Sequence, residues 1–173
     1  MTQNLPYIHR WTSAYKKYSP LLSSLNKSWL LDSGSLTRRL IKQSTQDFRV
    51  RVVSEGVARM FQHEKDVLKS PVGCAWIREV ELIVDGQVWV FARSVVPLST
   101  LNGQDLQLRY LGNKPLGHLL FSSPRYKRSQ FQIGKIALEN TQSIWGRRSI
   151  FSCNGQQKNL LVSETFMPVV FSD

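Results

Sequence analysis

Cysteine and histidine are scarce in this chain: 173 residues hold only Cys74 and Cys153, and His9, His63 and His118. Two cysteines cannot build a disulfide scaffold, and they suit a reducing compartment in which each is a small buried hydrophobe. With neither a CxxC nor an HExxH motif, a structural zinc site is excluded. Long apolar runs are missing as well. None approaches the roughly 20 residues a membrane helix needs, and the start, MTQNLPYIHRW, lacks the apolar core of a secretory signal. There are no internal repeats and no linker rich in Gly, Ser or Pro, so the length points to a single domain over residues 1–173. Acids are also few: 12 Asp and Glu stand against 23 Lys and Arg, a net charge of +11.

What is present is ordinary globular material. Apolar residues make up 42% and charged residues 20%. A chain of this size buries roughly 70% of its unfolded surface without staples. The cationic excess asks for an anionic partner: nucleic acid, a membrane surface or a small anion. Its distribution is diffuse. The densest groups are Arg38-Arg39, Arg125-Lys127-Arg128 and Arg147-Arg148, and residues 106–163 carry nine basic residues against Glu139 alone. Such a spread reads as a solvated surface with weak peripheral attraction to acidic membranes. No RNP-like motif or aromatic-basic cluster supports specific nucleic-acid binding.

Along the chain, Ser19 can cap a helix with Pro20 at its first position and Leu21, Leu22, Leu25 and Trp29 on one face. Asp32-Ser33-Gly34-Ser35 interrupts it, and Leu36, Leu40 and Ile41 predict a second short helix. Asp47 to Phe61 reads as two short strands around Ser54-Glu55-Gly56. Residues 74–84 and 87–97 alternate on either side of Asp85-Gly86, the strongest hairpin signal in the chain. A short helical stretch follows at Asp105–Leu111, and Lys114-Pro115 opens another helix with Pro115 at its first position. Strands are expected near 129–137, 143–152 and 159–167, the last two flanking an Asn154-Gly155 turn. The expected fold class is α+β: an antiparallel sheet of about six strands covered by helices.

The hairpin bears on function. A two-residue loop pairs Val84 with Gln87 and so sets Arg78 directly opposite Arg93, among Trp76, Val80, Leu82, Phe91 and Val95 on one apolar face. Facing like charges destabilise a sheet, and burying them without a counter-ion is costly. Something negative belongs there. Glu164 is a carboxylate on the apolar face of its strand, and it opposes Trp145 in one register or Arg147 in the other. Arg78, Arg93 and Glu164 therefore form either an internal ion network or a site for a small anion. Two arginines against one carboxylate favour the anion, because guanidinium forks match carboxylates. His118 and Ser99-Thr100 read as structural.

The same residues resemble the chorismate lyase (chorismate–pyruvate lyase) family. The matching stretches are Trp76-Ile77-Arg78-Glu79, Ala92-Arg93-Ser94-Val95-Val96-Pro97 and Ser99-Thr100-Leu101. They continue with Leu111-Gly112-Asn113-Lys114-Pro115-Leu116-Gly117, Trp145-Gly146-Arg147-Arg148-Ser149 and Leu161-Val162-Ser163-Glu164-Thr165-Phe166-Met167-Pro168. The resemblance runs in order from about residue 20 to residue 168. It implies a cytoplasmic monomer with no cofactor and no metal. Its reaction would convert chorismate to 4-hydroxybenzoate and pyruvate, the first committed step of ubiquinone synthesis. It implies that Arg78 binds a substrate carboxylate and that Glu164 lies near the ring hydroxyl, these two being the catalytic pair. Leu116 falls on a family contact in the Pro-Leu-Gly turn, and Leu36 falls where the family carries Met in a Ser-Met-Thr context. Arg93 is expected to help hold the second carboxylate. The competing reading is a non-catalytic sensor of small aromatic acids, since ligand-binding domains of some transcription regulators look similar. The first 45 residues are a poor match to a helix-turn-helix module.

Overall fold

A computed structural model describes residues 6–13, 22–137, 143–153 and 158–172. Its strands are β1 (Trp11–Ser13), β2 (Phe48–Arg59), β3 (Cys74–Val84), β4 (Gln87–Pro97), β5 (Tyr126–Arg128), β6 (Gln132–Ala137), β7 (Ser143–Cys153) and β8 (Asn159–Phe166). The helices are α1 (Ser24–Leu30), α2 (Leu36–Gln43), α3 (Gln62–Leu68) and α4 (Leu116–Ser122), with 3-10 turns at Leu98–Thr100, Gly103–Arg109 and Pro168–Phe171. All pairings are antiparallel, in the order β1-β6-β7-β8-β4-β3-β2, and β5 pairs with β7. The α+β class stands. Among the described residues the sheet has eight strands where about six were expected; β1 and β5 are too short for a periodic signal.

Local chemistry explains the elements. The Ser23 hydroxyl accepts from Asn26 N at the head of α1, and Ser35 does the same for Arg38 N at α2. The expected Ser19-Pro20 helix start and the Asn154-Gly155 turn lie outside the described residues. Pro115 is the N-cap of α4, one place before the first helical position. The segment 47–61 contains one twelve-residue strand, Phe48–Arg59, its break being a bulge between Val52 and Ser54. Helix α3 carried no expectation; the Phe61 N–H donates to Glu64 Oε2, which fixes its start. The Asp85-Gly86 turn forms as expected, with φ of 48° and 81°. The Asp85 carboxylate gathers the main-chain N–H groups of Thr45, Gln46 and Asp47 at 2.9 Å each.

The hairpin register differs from the expectation. Val84 pairs with Gln87, but beyond Ile83↔Val88 the next pair is Leu82↔Val90, so Trp89 is an extra residue in β4. From there on Arg78 faces Ser94, and Glu79 faces Arg93. A one-residue slip sends side chains to opposite faces, so Arg78 and Arg93 do not share one. The Trp89 carbonyl accepts from Met167 N at 2.8 Å, which holds the bulge against the end of β8.

The sheet separates two cores. On one face α1 and α2 bury Trp29, Leu30, Leu36 and Leu40 against Val80, Leu82, Val90 and Phe166, and α4 adds Leu116 and Leu120 to a neighbouring cluster with Leu108, Phe151 and Cys153. Each such aliphatic side chain stabilises the fold by about 1.5–3 kcal/mol. On the other face Met60 and Leu68 pack on Ala75, Ile77, Val95 and Leu161. Cys153 is buried as expected and Cys74 is half-buried. The segment through Ile8 crosses the Gly134–Gly146 pair of β6 and β7, where a side chain would collide with it.

Candidate active site

A narrow cavity lies between the sheet, the start of α2 and the start of α4. Its lining includes Leu36, Arg78, Leu116 and Glu164, together with Val80, Leu82, Ala92, Ser94, Val162, Phe121, Arg128 and Phe151. At about 50 Å³ it is well below the roughly 300 Å³ of an open ligand pocket. Leu120, Phe121, Arg128 and Phe151 also line an outer groove of about 700 Å³. Four residues expected from sequence thus meet in one cavity; Arg93 does not.

Arg78, on β3, is buried with 3% of its side chain exposed. Its Nη1 donates to Glu55 Oε1 at 2.9 Å. Its Nη2 donates to the carbonyls of Gly112 at 2.6 Å and Lys114 at 3.3 Å. Gly112 turns through positive φ of 53°, a conformation that favours glycine, and so the Leu111–Pro115 loop is drawn onto Arg78. That loop leads into α4, whose first residue is Leu116. Helix starts leave main-chain N–H groups without intrahelical partners.

Glu164, on β8, sits opposite Arg147 of β7, the second of the two registers left open by the sequence. Arg147 Nε donates to Glu164 Oε2 at 2.5 Å, and Nη1 donates to the carbonyls of Trp29 and Asp32 at 3.0 and 2.7 Å. Arg147 is essentially fully buried and lies 4.6 Å from the Phe131 ring. It ties the tail of α1 and the 32–36 loop to Glu164. Asp32 is held ionised there: burial pushes its pKa up, but the Gly34 N–H, Arg39 and Arg147 together bring it below the ordinary carboxyl value. Leu36 opens α2 immediately after this loop.

Arg93 belongs to the opposite face. Its Nε and Nη2 donate to Glu64 at 2.7 and 3.0 Å, and Nη1 donates to Glu79 Oε1 at 2.6 Å. Glu79 also accepts from Tyr7 and Ser54 at 2.7 Å each. Arg78, Arg93 and Glu164, grouped on one face by the sequence, therefore fall into three separate ion-pair groups, Arg78–Glu55, Arg93–Glu64/Glu79 and Arg147–Glu164. The negative charge demanded by each arginine is present, supplied by a different glutamate.

Sequence reasoning missed Glu55 and Arg128. Glu55 becomes visible only when β2 is read as one bulged strand beside β3, which pairs it with Arg78. Arg128 sits among surface-like basic residues, yet strand alternation with the buried Tyr126 turns it inward.

A probable chorismate pyruvate-lyase from Methylococcus capsulatus is 40% identical over 158 residues, covering 84% of this chain and 96% of the relative. A chorismate pyruvate-lyase from Shigella sonnei is 37% identical over 155 residues, covering 89% of each. Among solved structures, the effector domain of PhnF from Mycobacterium smegmatis matches with a TM-score of 0.59 at 13% identity, over 79% of this chain and 90% of that one. A GntR-family transcriptional regulator from Bacillus cereus matches at 0.56 and 8%, over 74% and 96%. At such identity these two likenesses concern the fold alone. The family model for chorismate lyase matches residues 10–173, and with relatives this similar along most of their length the chain belongs to the chorismate lyase family.

Proposed function

We propose that this protein converts chorismate to 4-hydroxybenzoate and pyruvate. The observation that carries the reading is a single cavity lined by Arg78, Leu36, Leu116 and Glu164 in a chain of this family. Chorismate carries a ring carboxylate and, across the ring from it, the C4 hydroxyl. Arg78 clamps the ring carboxylate, with the main-chain N–H at Leu116 as a further donor. Glu164, steadied through Oε2 by Arg147, accepts from the C4 hydroxyl through Oε1. Val80, Leu82, Ala92 and Val162 supply the apolar walls of the cavity, and Leu36 closes one end.

The chemistry balances without a co-reactant. The hydrogen on C4 moves to the enolpyruvyl methylene, which becomes the methyl of pyruvate. The C3–O bond breaks, its electron pair becomes part of the pyruvate carbonyl, and the C3–C4 double bond completes the aromatic ring. Six atoms lie on this cyclic path, so the protein's main contribution is orientation. Fixed positive charge near the departing oxygen adds to it. Glu164 positions the hydroxyl and steers the C4 hydrogen. In the cell the reaction supplies 4-hydroxybenzoate for ubiquinone synthesis, in the cytoplasm and by a monomer.

Pure protein incubated with chorismate, without added cofactor, is expected to release 4-hydroxybenzoate and pyruvate in equal amounts. Folded protein that bound 4-hydroxybenzoate but turned over no chorismate would instead be a sensor.

A further inference from the structure

We propose that Arg128 binds the second carboxylate of the substrate, the one on the enolpyruvyl group; this rests on the chorismate reading of the same cavity. The residue offered for that task by the idealised hairpin, Arg93, is committed to Glu64 and Glu79 on the far face. On the cavity face Arg78 has Glu55 and Arg147 has Glu164. Arg128 holds only main-chain carbonyls: Nη2 donates to those of Ser33 at 3.1 Å and Gly34 at 3.3 Å. Its Nε and Nη1 have no protein acceptor among the described residues. One cation at the cavity therefore has no carboxylate in ion-pair contact among the described residues, in a protein whose substrate carries two carboxylates.

The surroundings suit that role. The Arg128 guanidinium lies over the rings of Phe121, Phe131 and Phe151, at 4.5, 4.8 and 5.4 Å. Phe121, Phe151 and Arg128 line both the cavity and the outer groove, so the cation stands at the boundary between them. Aromatic faces hold a cation while excluding water, and a drier site strengthens its pull on an anion. Burial lowers the Arg128 pKa, while the charge of Glu164 raises it and that of Arg147 lowers it. Asp32 raises it as well, and of these two carboxylates Glu164 lines the same cavity as Arg128. C3 and C4 are neighbouring ring atoms. A cation beside the group that holds the C4 hydroxyl is beside the C3 substituent as well.

This arrangement separates substrate from product. 4-Hydroxybenzoate keeps the ring carboxylate bound by Arg78 and has lost the group bound by Arg128. The test uses Arg128→Met, which keeps an apolar stem over the phenyl rings and removes the charge, and Arg128→Lys, which keeps the charge. Expected for Arg128→Met is a fall in kcat/KM for chorismate of about 10- to 100-fold, the range of one or two charge-assisted hydrogen bonds. The Kd for 4-hydroxybenzoate, measured by titration calorimetry, stays near the wild-type value, and Arg128→Lys recovers most of the loss. Unchanged kcat/KM in Arg128→Met would overturn the proposal. An equal loss of chorismate turnover and product affinity would also overturn it, since Arg128 would then only tether the 33–34 loop. Should Arg128→Met not fold, Arg128→Gln takes its place: selective weakening of chorismate supports the proposal, and equal weakening of both ligands, or of neither, refutes it. Failure of the lyase reading is distinguishable, because the wild-type protein would then not turn over chorismate.

Discussion

Glu79 lies directly across the β3–β4 hairpin from Arg93, and Arg93 Nη1 reaches its Oε1 at 2.6 Å. The pairing exists because Trp89 is bulged out of β4. Without that one residue Arg78 and Arg93 would face each other. The bulge thus sends one arginine to the cavity and the other to a buried ion cluster beneath α3.

Arg93→Ala is accordingly expected to act on stability and not on chemistry. It strands Glu64 and Glu79, which are almost fully buried, and should cost about 3–5 kcal/mol. Urea unfolding reads the loss, and kcat/KM of the folded fraction should stay close to wild type. A large fall in activity at unchanged stability would return Arg93 to substrate binding.

Arg78→Ala is expected to weaken both ligands, because both carry the ring carboxylate. Losing two charge-assisted hydrogen bonds should lower kcat/KM for chorismate by roughly 100-fold or more. The Kd for 4-hydroxybenzoate should rise in parallel. Normal kinetics in this variant would remove Arg78 from the site.

Glu164→Gln keeps the shape and a hydrogen-bond acceptor but loses the charge. A fall in kcat of about 100-fold, with a smaller change in KM, is the expected result if the carboxylate steers the C4 hydrogen. Full activity would leave Glu164 with positioning alone.

A methyl group at Gly134 would lie 2.2 Å from Ile8 Cγ2 and 2.8 Å from the Arg10 carbonyl oxygen. At Gly146 it would lie 2.4 Å from Ile8 Cδ1. Alanine at either position should destabilise by about 1–3 kcal/mol, seen as a lower Tm. Relief of the Gly134→Ala loss by Ile8→Ala would identify the collision as its cause.

Acid stability should depend on Glu79. Burial raises its pKa, but hydrogen bonds from Ser54, Tyr7 and Arg93 outweigh burial and hold it below the ordinary value of 4.5. A carboxyl depressed by folding contributes stability above its unfolded pKa and loses it as pH falls through the folded one. Urea midpoints measured between neutral pH and pH 3 should fall more steeply below 4.5 in the wild type than in Glu79→Gln. Parallel curves would show that Glu79 does not supply this dependence.

Much of the site was legible locally. Asp85-Gly86 selects its turn by backbone conformation, and alternation along β8 marks Glu164 as a carboxylate on an apolar face. The family stretches carry Arg78, Leu116 and Leu36 to positions that do share a cavity. The residues that went unseen depend on contacts between elements distant in sequence: Glu55 with Arg78, Asp32 O with Arg147, and the 33–34 carbonyls with Arg128.

The sequence by itself determined the α+β class, the hairpin and the kinds of side chain available to hold an anion, because these follow from periodicity and turn chemistry. It could not determine which arginine faces which carboxylate. For Arg93 and Glu79 that choice turns on one bulged residue, Trp89, whose carbonyl is held by Met167, just past the end of β8 and 78 positions along the chain. Only the assembled sheet decides such a register, since packing against β8, and not the local preference of β4, selects between pairings that local pattern leaves equivalent.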